Sequence, residues 1–191
     1  MVVHTGNRYG RSEEARRNVL QEADDLVVAV GLEATTIEEI ARRAGVAKQT
    51  IYRWWRDKNA VLLDVVIRDT ELKLDLPDTG SLPGDVTQMC ANLTDFLIHD
   101  DAGAVLLSLR AQAITNRAFG EVFRTRFWQG QVAREQEPLR RAVGRRELPD
   151  DTDIDHLRLR IVGPLYAAAE EGLLDRGFAR EHSRAVLAAL G

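Results

Sequence analysis

The chain has one cysteine, Cys90, and four histidines among its 191 residues. A single thiol cannot close an intrachain disulfide, so a reduced, cytoplasmic setting is the simplest expectation. One cysteine and scattered histidines also give no set with metal-ligand spacing, and no metal is expected. Long apolar runs are missing too. The longest, Leu26 to Val30, is far too short to span a bilayer, so no membrane partner is expected. Met1 to Ser12 carries Arg8 and Arg11 with no apolar stretch behind them, which argues against a secretory signal. There is no internal repeat and no low-complexity segment. Sustained period-two alternation is absent, so strands have no signal and the expected fold class is all-α. No nucleophile motif, phosphate-binding glycine loop or paired catalytic carboxylates stand out. No cofactor and no enzymatic activity are expected. Asp150, Asp151, Asp153 and Asp155 begin like a calcium loop, but His156 and Val162 stand where such a loop needs glycine and glutamate. Acids at a helix start are the better account.

Hydrophobic residues make up 45% of the chain and charged residues 29%, the balance of a globular protein with a substantial core. The net charge of −4 is unevenly spread. Residues 1–60 hold ten Lys/Arg and nine Asp/Glu, whereas residues 61–191 hold sixteen and twenty-one. Between Arg42 and Lys58 there are six basic residues and one acid, Asp57. Phosphate attraction depends on this local field, which decays over about 8–10 Å at ordinary salt. A basic cluster alone fits a solvated helix face as well as a nucleic-acid surface.

The residue pattern around the cluster favours the second. Thr36 is a good N-cap, and Glu39 stands where its carboxylate can reach back to the cap's amide. Ile37, Ile40, Ala41 and Ala44 repeat at helical spacing. Gly45 permits the positive φ of a sharp turn. Beyond it, Val46, Ile51 and Trp55 face inward, while Lys48, Gln49, Thr50, Tyr52 and Arg53 point elsewhere. Two short helices with a donor-rich second face make a helix-turn-helix.

The run Thr36-Ile-x-x-Ile-Ala-x-x-Ala-Gly-Val-x-Lys-x-Thr-Ile-Tyr-x-Trp-Trp, followed by Lys58, resembles the N-terminal domain of the tetracycline-repressor (TetR) family, over roughly residues 12–65. The resemblance implies a ligand-responsive repressor that binds a palindromic operator in double-stranded DNA as a homodimer and is released by a small-molecule effector. Domain boundaries are expected at 1–56 for the helix-turn-helix part and 57–191 for a helical part that binds effector and dimerises, with about nine helices in all. Thr36, Lys48, Gln49, Thr50, Tyr52, Arg53, Trp54 and Lys58 are the candidate DNA contacts. Lysine suits guanine O6/N7 and glutamine suits adenine N6/N7. Trp54 fits either interhelical packing or the sugar-phosphate chain, and Trp55 fits the core. One departure stands out: many members of the family carry Ser or Thr where this chain has Ala47, which cannot cap the second helix.

Elsewhere, Ser12 is expected to cap a first helix ending at Gly31, after a flexible arm at residues 1–11. A fourth helix should run from Asp57 to about Leu74, with Val61, Leu62, Val65, Val66 and Leu72 as its apolar positions. Pro77 to Gly84 reads as a linker. Helices should follow to His99, from Ala102 to Thr115, from 117 to about 146 with Pro138 kinking or breaking it, from Asp153 to Gly172, and from Phe178 to Leu190. Phe119, Phe123 and Phe127, spaced four apart, fit plain core or a pocket. The resemblance adds the pocket reading, with Leu93, Phe96, Leu106 and Arg110 as further candidate lining. Ile154, Leu157, Ile161, Leu165, Val186 and Leu190 are the candidate dimer interface, or else they close the chain's own bundle. A small-molecule-binding bundle or enzyme with a vestigial DNA-binding domain is the alternative to the regulator reading.

Overall fold

Most helices in this protein begin where a short polar side chain can take up one of the first free amides. In the computed structural model, which describes residues 6–76 and 78–190 (with side chains from residue 12), Thr36, Ser81, Asp100, Asn116, Asp153 and Asp175 each accept a backbone N–H at a helix start. The described residues contain no strand. They form α1 (Gly6–Ala34), α2 (Ile37–Arg43), α3 (Lys48–Trp54), α4 (Lys58–Lys73), α5 (Leu82–His99), α6 (Asp101–Thr115), α7 (Arg117–Phe123), a π-helical turn (Arg124–Trp128), α8 (Gln129–Gly144), α9 (Ile154–Glu170) and α10 (Arg176–Ala188). None of these helices is long and apolar enough to cross a membrane.

The chain divides into two compact units, Met1–Arg68 and Asp69–Gly191, and the division falls within α4. In the first unit α1 packs on α2 and α2 on α3. Its core holds Val19, Leu20, Ala23, Leu26, Ile37, Ile40, Ile51 and Trp55, with Val61, Leu62 and Val65 from the first half of α4. In the second unit α5 is central, packing against α6, α8, α9 and α10. Gly103 permits the α5–α6 approach: a Cβ there would lie 2.1 Å from the Phe96 carbonyl oxygen.

Several expectations change. Ser12 does not start a helix, because α1 already begins at Gly6, so residues 6–11 are helical and not a loose arm. Residues 1–5, the side chains of Arg8 and Arg11, and Pro77 lie outside the described residues. Gly31 breaks α1 as expected, at φ 81° and ψ 166°, but a last helical turn follows it to Ala34. Of the apolar positions of α4, Val61, Leu62, Val65 and Val66 are buried, but Leu72 is 76% exposed. Pro138 sits within α8 without ending it. Leu139 and Ala142 beyond it are buried, and this packing holds the helix across the lost amide.

Candidate nucleic-acid interface and effector region

The α2–α3 turn is built from local hydrogen bonds. Thr36 Oγ1 accepts from the Glu39 amide at 3.2 Å. Ala44 N donates to Ile40 O at 2.9 Å and Val46 N to Ala41 O at 3.0 Å. Gly45 between them takes φ 66°, where a side chain would be strained. Ala47, the N-cap of α3, makes no side-chain cap, although Thr50 N reaches its carbonyl at 2.8 Å. The other end of α3 is anchored more firmly. Trp55 is buried, and its indole Nε1 donates to Asp64 Oδ2 on α4 at 2.8 Å. Arg16 on α1 donates to the same oxygen at 2.9 Å and lies over the Trp55 ring, 5.6 Å from its centroid.

The expected DNA-contact residues form an uneven set. Thr36, Lys48, Gln49, Tyr52 and Arg53 are exposed, and Thr50, Trp54 and Lys58 are half-buried. Arg53 lies over the Trp54 ring at 5.2 Å, and Trp54 meets Trp55 edge-on. Lys58 is already engaged, since its Nζ donates to the Leu32 carbonyl at 2.8 Å.

The basic island is also less naked than its sequence. Glu39 does not complete a capping box: its carboxylate takes Arg42 Nη2 at 2.6 Å and Arg43 Nε at 3.3 Å. The hydrogen bond from Arg42, helped by that from Arg43, holds the carboxyl pKa at about 2 against the opposing effect of burial. Glu38 accepts from Lys48 Nζ at 2.8 Å, which lowers the acid's pKa and raises the lysine's. Counting from Arg42 left both acids out of the local charge. For Glu39 the sequence signal is its i, i+3 and i, i+4 spacing to Arg42 and Arg43, whereas Glu38 meets Lys48 ten residues on, across the turn.

In the second unit the aromatic stripe condenses into a cluster. Phe119, Phe123 and Phe127 are buried, with Phe123 6.1 Å from Phe119 and 5.4 Å from Phe127. The π-helical turn sets Trp128 on Phe123 at 6.1 Å and edge-on to Tyr166 at 5.6 Å. Arg110 lies over both of these rings, 4.7 Å from Trp128 and 4.2 Å from Tyr166, with its Nε 3.4 Å from Glu170. Leu93, Phe96 and Leu106 are buried in α5 and α6, and among the described residues no ring contact joins Phe96 to the cluster.

A buried polar group beside the rings was not read from sequence. Glu135 accepts from Arg158 Nη1 at 2.6 Å, from Gln131 Nε2 at 2.9 Å and from the Tyr166 hydroxyl at 3.3 Å. Arg158 Nε is buried with no partner. Burial, and then the Glu135 charge, push the Tyr166 phenol well above its ordinary range, so it stays neutral. Polar residues within apolar helix faces, Gln131 and Glu135 on α8 and Arg158 on α9, were the available signal.

The candidate dimer residues divide by burial. Leu157, Ile161, Leu165 and Val186 are buried by the chain itself, and Ile154 and Leu190 are half-buried. The most apolar stripe of α9 faces its own bundle, because the monomer's core takes that stripe first. The outer surface of α9 and α10 is an open depression lined by His156, Leu159, Arg160, Pro164, His182, Ala185 and Val186. Leu159 is 54% exposed there.

Residues 19–65 match the family model for bacterial regulatory proteins of the tetR family, and residues 76–187 match the model for the tetracyclin repressor-like C-terminal domain. YdeS of Bacillus subtilis (strain 168), an uncharacterized HTH-type transcriptional regulator, is 33% identical over 156 residues, covering 82% of this chain and 78% of its own. The crystal structure of the TetR family transcription regulator SCO0332 is similar with a TM-score of 0.81 at 27% identity, covering 93% of this chain and 99% of that one. The fold is shared with RolR, crystallised in complex with resorcinol, at a TM-score of 0.71 and 19% identity, covering 96% of this chain and 91% of that one.

Proposed function

From the premise that the chain belongs to the TetR family of bacterial transcriptional regulators, we propose that it is a ligand-responsive repressor acting as a homodimer on a palindromic operator. The observation that carries the reading is the exposed row Lys48, Gln49, Tyr52 and Arg53 on α3, supported from beneath by buried Ile51 and Trp55. A short helix held this way presents ammonium, amide, phenol and guanidinium donors at major-groove width. Residues 1–56 then read DNA, and residues 57–191 bind effector and dimerise.

One recognition helix covers too little DNA for useful specificity, and a two-fold pair matches a palindrome with half-sites about 34–36 Å apart or at a related spacing. For the dimer we assign the outer surface of α9 and α10, with Leu159, Pro164 and Ala185, in place of the buried stripe. For the effector we assign the Arg110, Trp128 and Tyr166 cluster, where two π-faces and a guanidinium meet and the Tyr166 hydroxyl reaches the buried Glu135. A planar aromatic molecule with an acceptor group fits this chemistry. RolR, of the same fold, holds resorcinol. The effector shifts the operator equilibrium only by its differential affinity for the two states. The protein thus acts by binding and not by catalysis.

The test is titration of the full chain against a palindrome from its own promoter region, across a salt series. Affinity that depends on sequence and falls with salt is expected. Affinity indifferent to both sinks the reading.

A further inference from the structure

We infer that Glu38 is a specificity-determining residue of the DNA surface: it holds the ammonium of Lys48 back from phosphates and so suppresses binding to the wrong sequences. The inference rests on the DNA-binding reading above.

The geometry is a pair across the turn. Glu38 comes from the first turn of α2 and Lys48 from the first turn of α3. Glu38 Oε1 meets Lys48 Nζ at 2.8 Å, with the carboxylate 61% and the lysine 49% exposed. An exposed pair of this kind contributes little to folding. Its effect therefore falls on what approaches the surface. The two charges differ from an ordinary solvated pair because Lys48 opens the helix that carries the base-reading residues.

A duplex of arbitrary sequence offers this surface phosphates without a matched set of base edges. To gain the Lys48–phosphate contact it must break the pair and leave the Glu38 carboxylate bare beside a polyanion. The gain from one charge is offset by repulsion from the other. The correct sequence offers Lys48 a further partner, since guanine presents O6 and N7 acceptors in the major groove. Base contacts then outweigh the exposed carboxylate. Glu38 thus costs non-specific binding more than specific binding. The mass-action consequence is a lower background on the large excess of wrong sites. Glu39 repeats the device one position on, with Arg42 and Arg43.

The test uses the full chain with two duplexes: a palindrome enriched by the wild-type protein from a random pool, and its scrambled counterpart. Glu38→Gln keeps the shape and removes the charge. Expected at 0.1 M salt is about a threefold to tenfold rise in affinity for the scrambled duplex, with its salt slope steeper by about 0.9 for one more phosphate contact. The palindrome should gain less, so the ratio between the two falls. With Lys48→Met already present, Glu38→Gln should change the scrambled-duplex affinity much less. An unchanged or larger ratio overturns the inference while leaving the DNA-binding reading intact. Failure of the wild type to enrich any sequence overturns both. A normal helical circular-dichroism spectrum for each variant separates these outcomes from misfolding.

Discussion

Trp55 Nε1 donates to Asp64 Oδ2 at 2.8 Å, and this bond fixes the C-terminal end of the recognition helix to α4. Arg16 meets the same carboxylate oxygen, so three helices of the first unit converge on one buried acid. Asp64→Ala strips the indole N–H of its acceptor and Arg16 of its counter-charge. It should lower stability by about 2–3 kcal/mol, near the cost of an unsatisfied buried polar group with a charged partner. Trp55→Phe, which removes the N–H but keeps most of the ring, should cost about 1–2 kcal/mol. Urea unfolding of both single variants and the double variant measures the coupling. A double-variant loss equal to the sum of the singles would show that the bond contributes nothing.

The opposite end of that helix lacks a side-chain cap. Ala47 has φ −72° and ψ 145°, the extended backbone an N-cap requires. Ala47→Ser should therefore stabilise by about 0.5–1 kcal/mol, a rise in Tm of about 1–4 °C for a chain of this size. Differential scanning calorimetry reads it. A drop in Tm would show that the first turn of α3 has no room for the hydroxyl.

Arg158 and Glu135 are both buried, with side chains 6% and 1% exposed and 2.6 Å apart. Arg158→Met leaves an uncompensated carboxylate in the core and should cost about 3–5 kcal/mol. Adding Glu135→Gln removes that charge while keeping an acceptor for Gln131 and Tyr166, and should recover a large part of the loss. Chemical denaturation compares the two. A double variant no more stable than Arg158→Met shows that the pair's charge is not what the core depends on.

Asp85 supplies an acid-dependent term. Burial tends to raise its pKa, but the Thr79 amide and hydroxyl and the Arg145 guanidinium overcome this and hold it below the ordinary 3.8. A depressed folded pKa stabilises above the unfolded value and is lost as pH falls through the folded one. The contribution should thus be complete at neutral pH and fade below about pH 4. Asp85→Asn should be less stable than wild type at pH 7, with the gap narrowing as the solution is acidified. Thermal unfolding at a series of pH values checks this. A gap constant down to pH 2.5 would rule out the ionised carboxylate as its source.

Local chemistry was legible in the sequence wherever a residue needs only its neighbours to act. Thr36 caps α2 because a threonine hydroxyl reaches an amide three residues on, whatever surrounds it. Gly45 takes positive φ because only glycine does so without strain. The buried face of Ile37, Ile40, Ile51 and Trp55 follows from helical period alone. Reach across the chain was not legible. Ser12 has the right chemistry for a cap, yet α1 starts at Gly6. Pro138 should break a helix standing alone, but buried neighbours carry α8 through it. Nor does period say which apolar stripe the monomer buries, so Leu157 and Ile161 went inward when an outer contact was expected.

The sequence by itself determined an all-helical chain with a helix-turn-helix between Thr36 and Trp55, because caps, turns and amphipathic period are short-range properties. Only the tertiary structure decided which charges meet. It put Glu38 on Lys48, Asp64 on Trp55 and Arg16, and Glu135 on Arg158. Electrostatic pairing depends on distances of a few ångströms, and these distances are set by how separate helices pack and turn against one another. Within the basic island visible along the sequence, Arg42, Arg43 and Lys48 are therefore already matched with acids in space, and DNA has to compete for them.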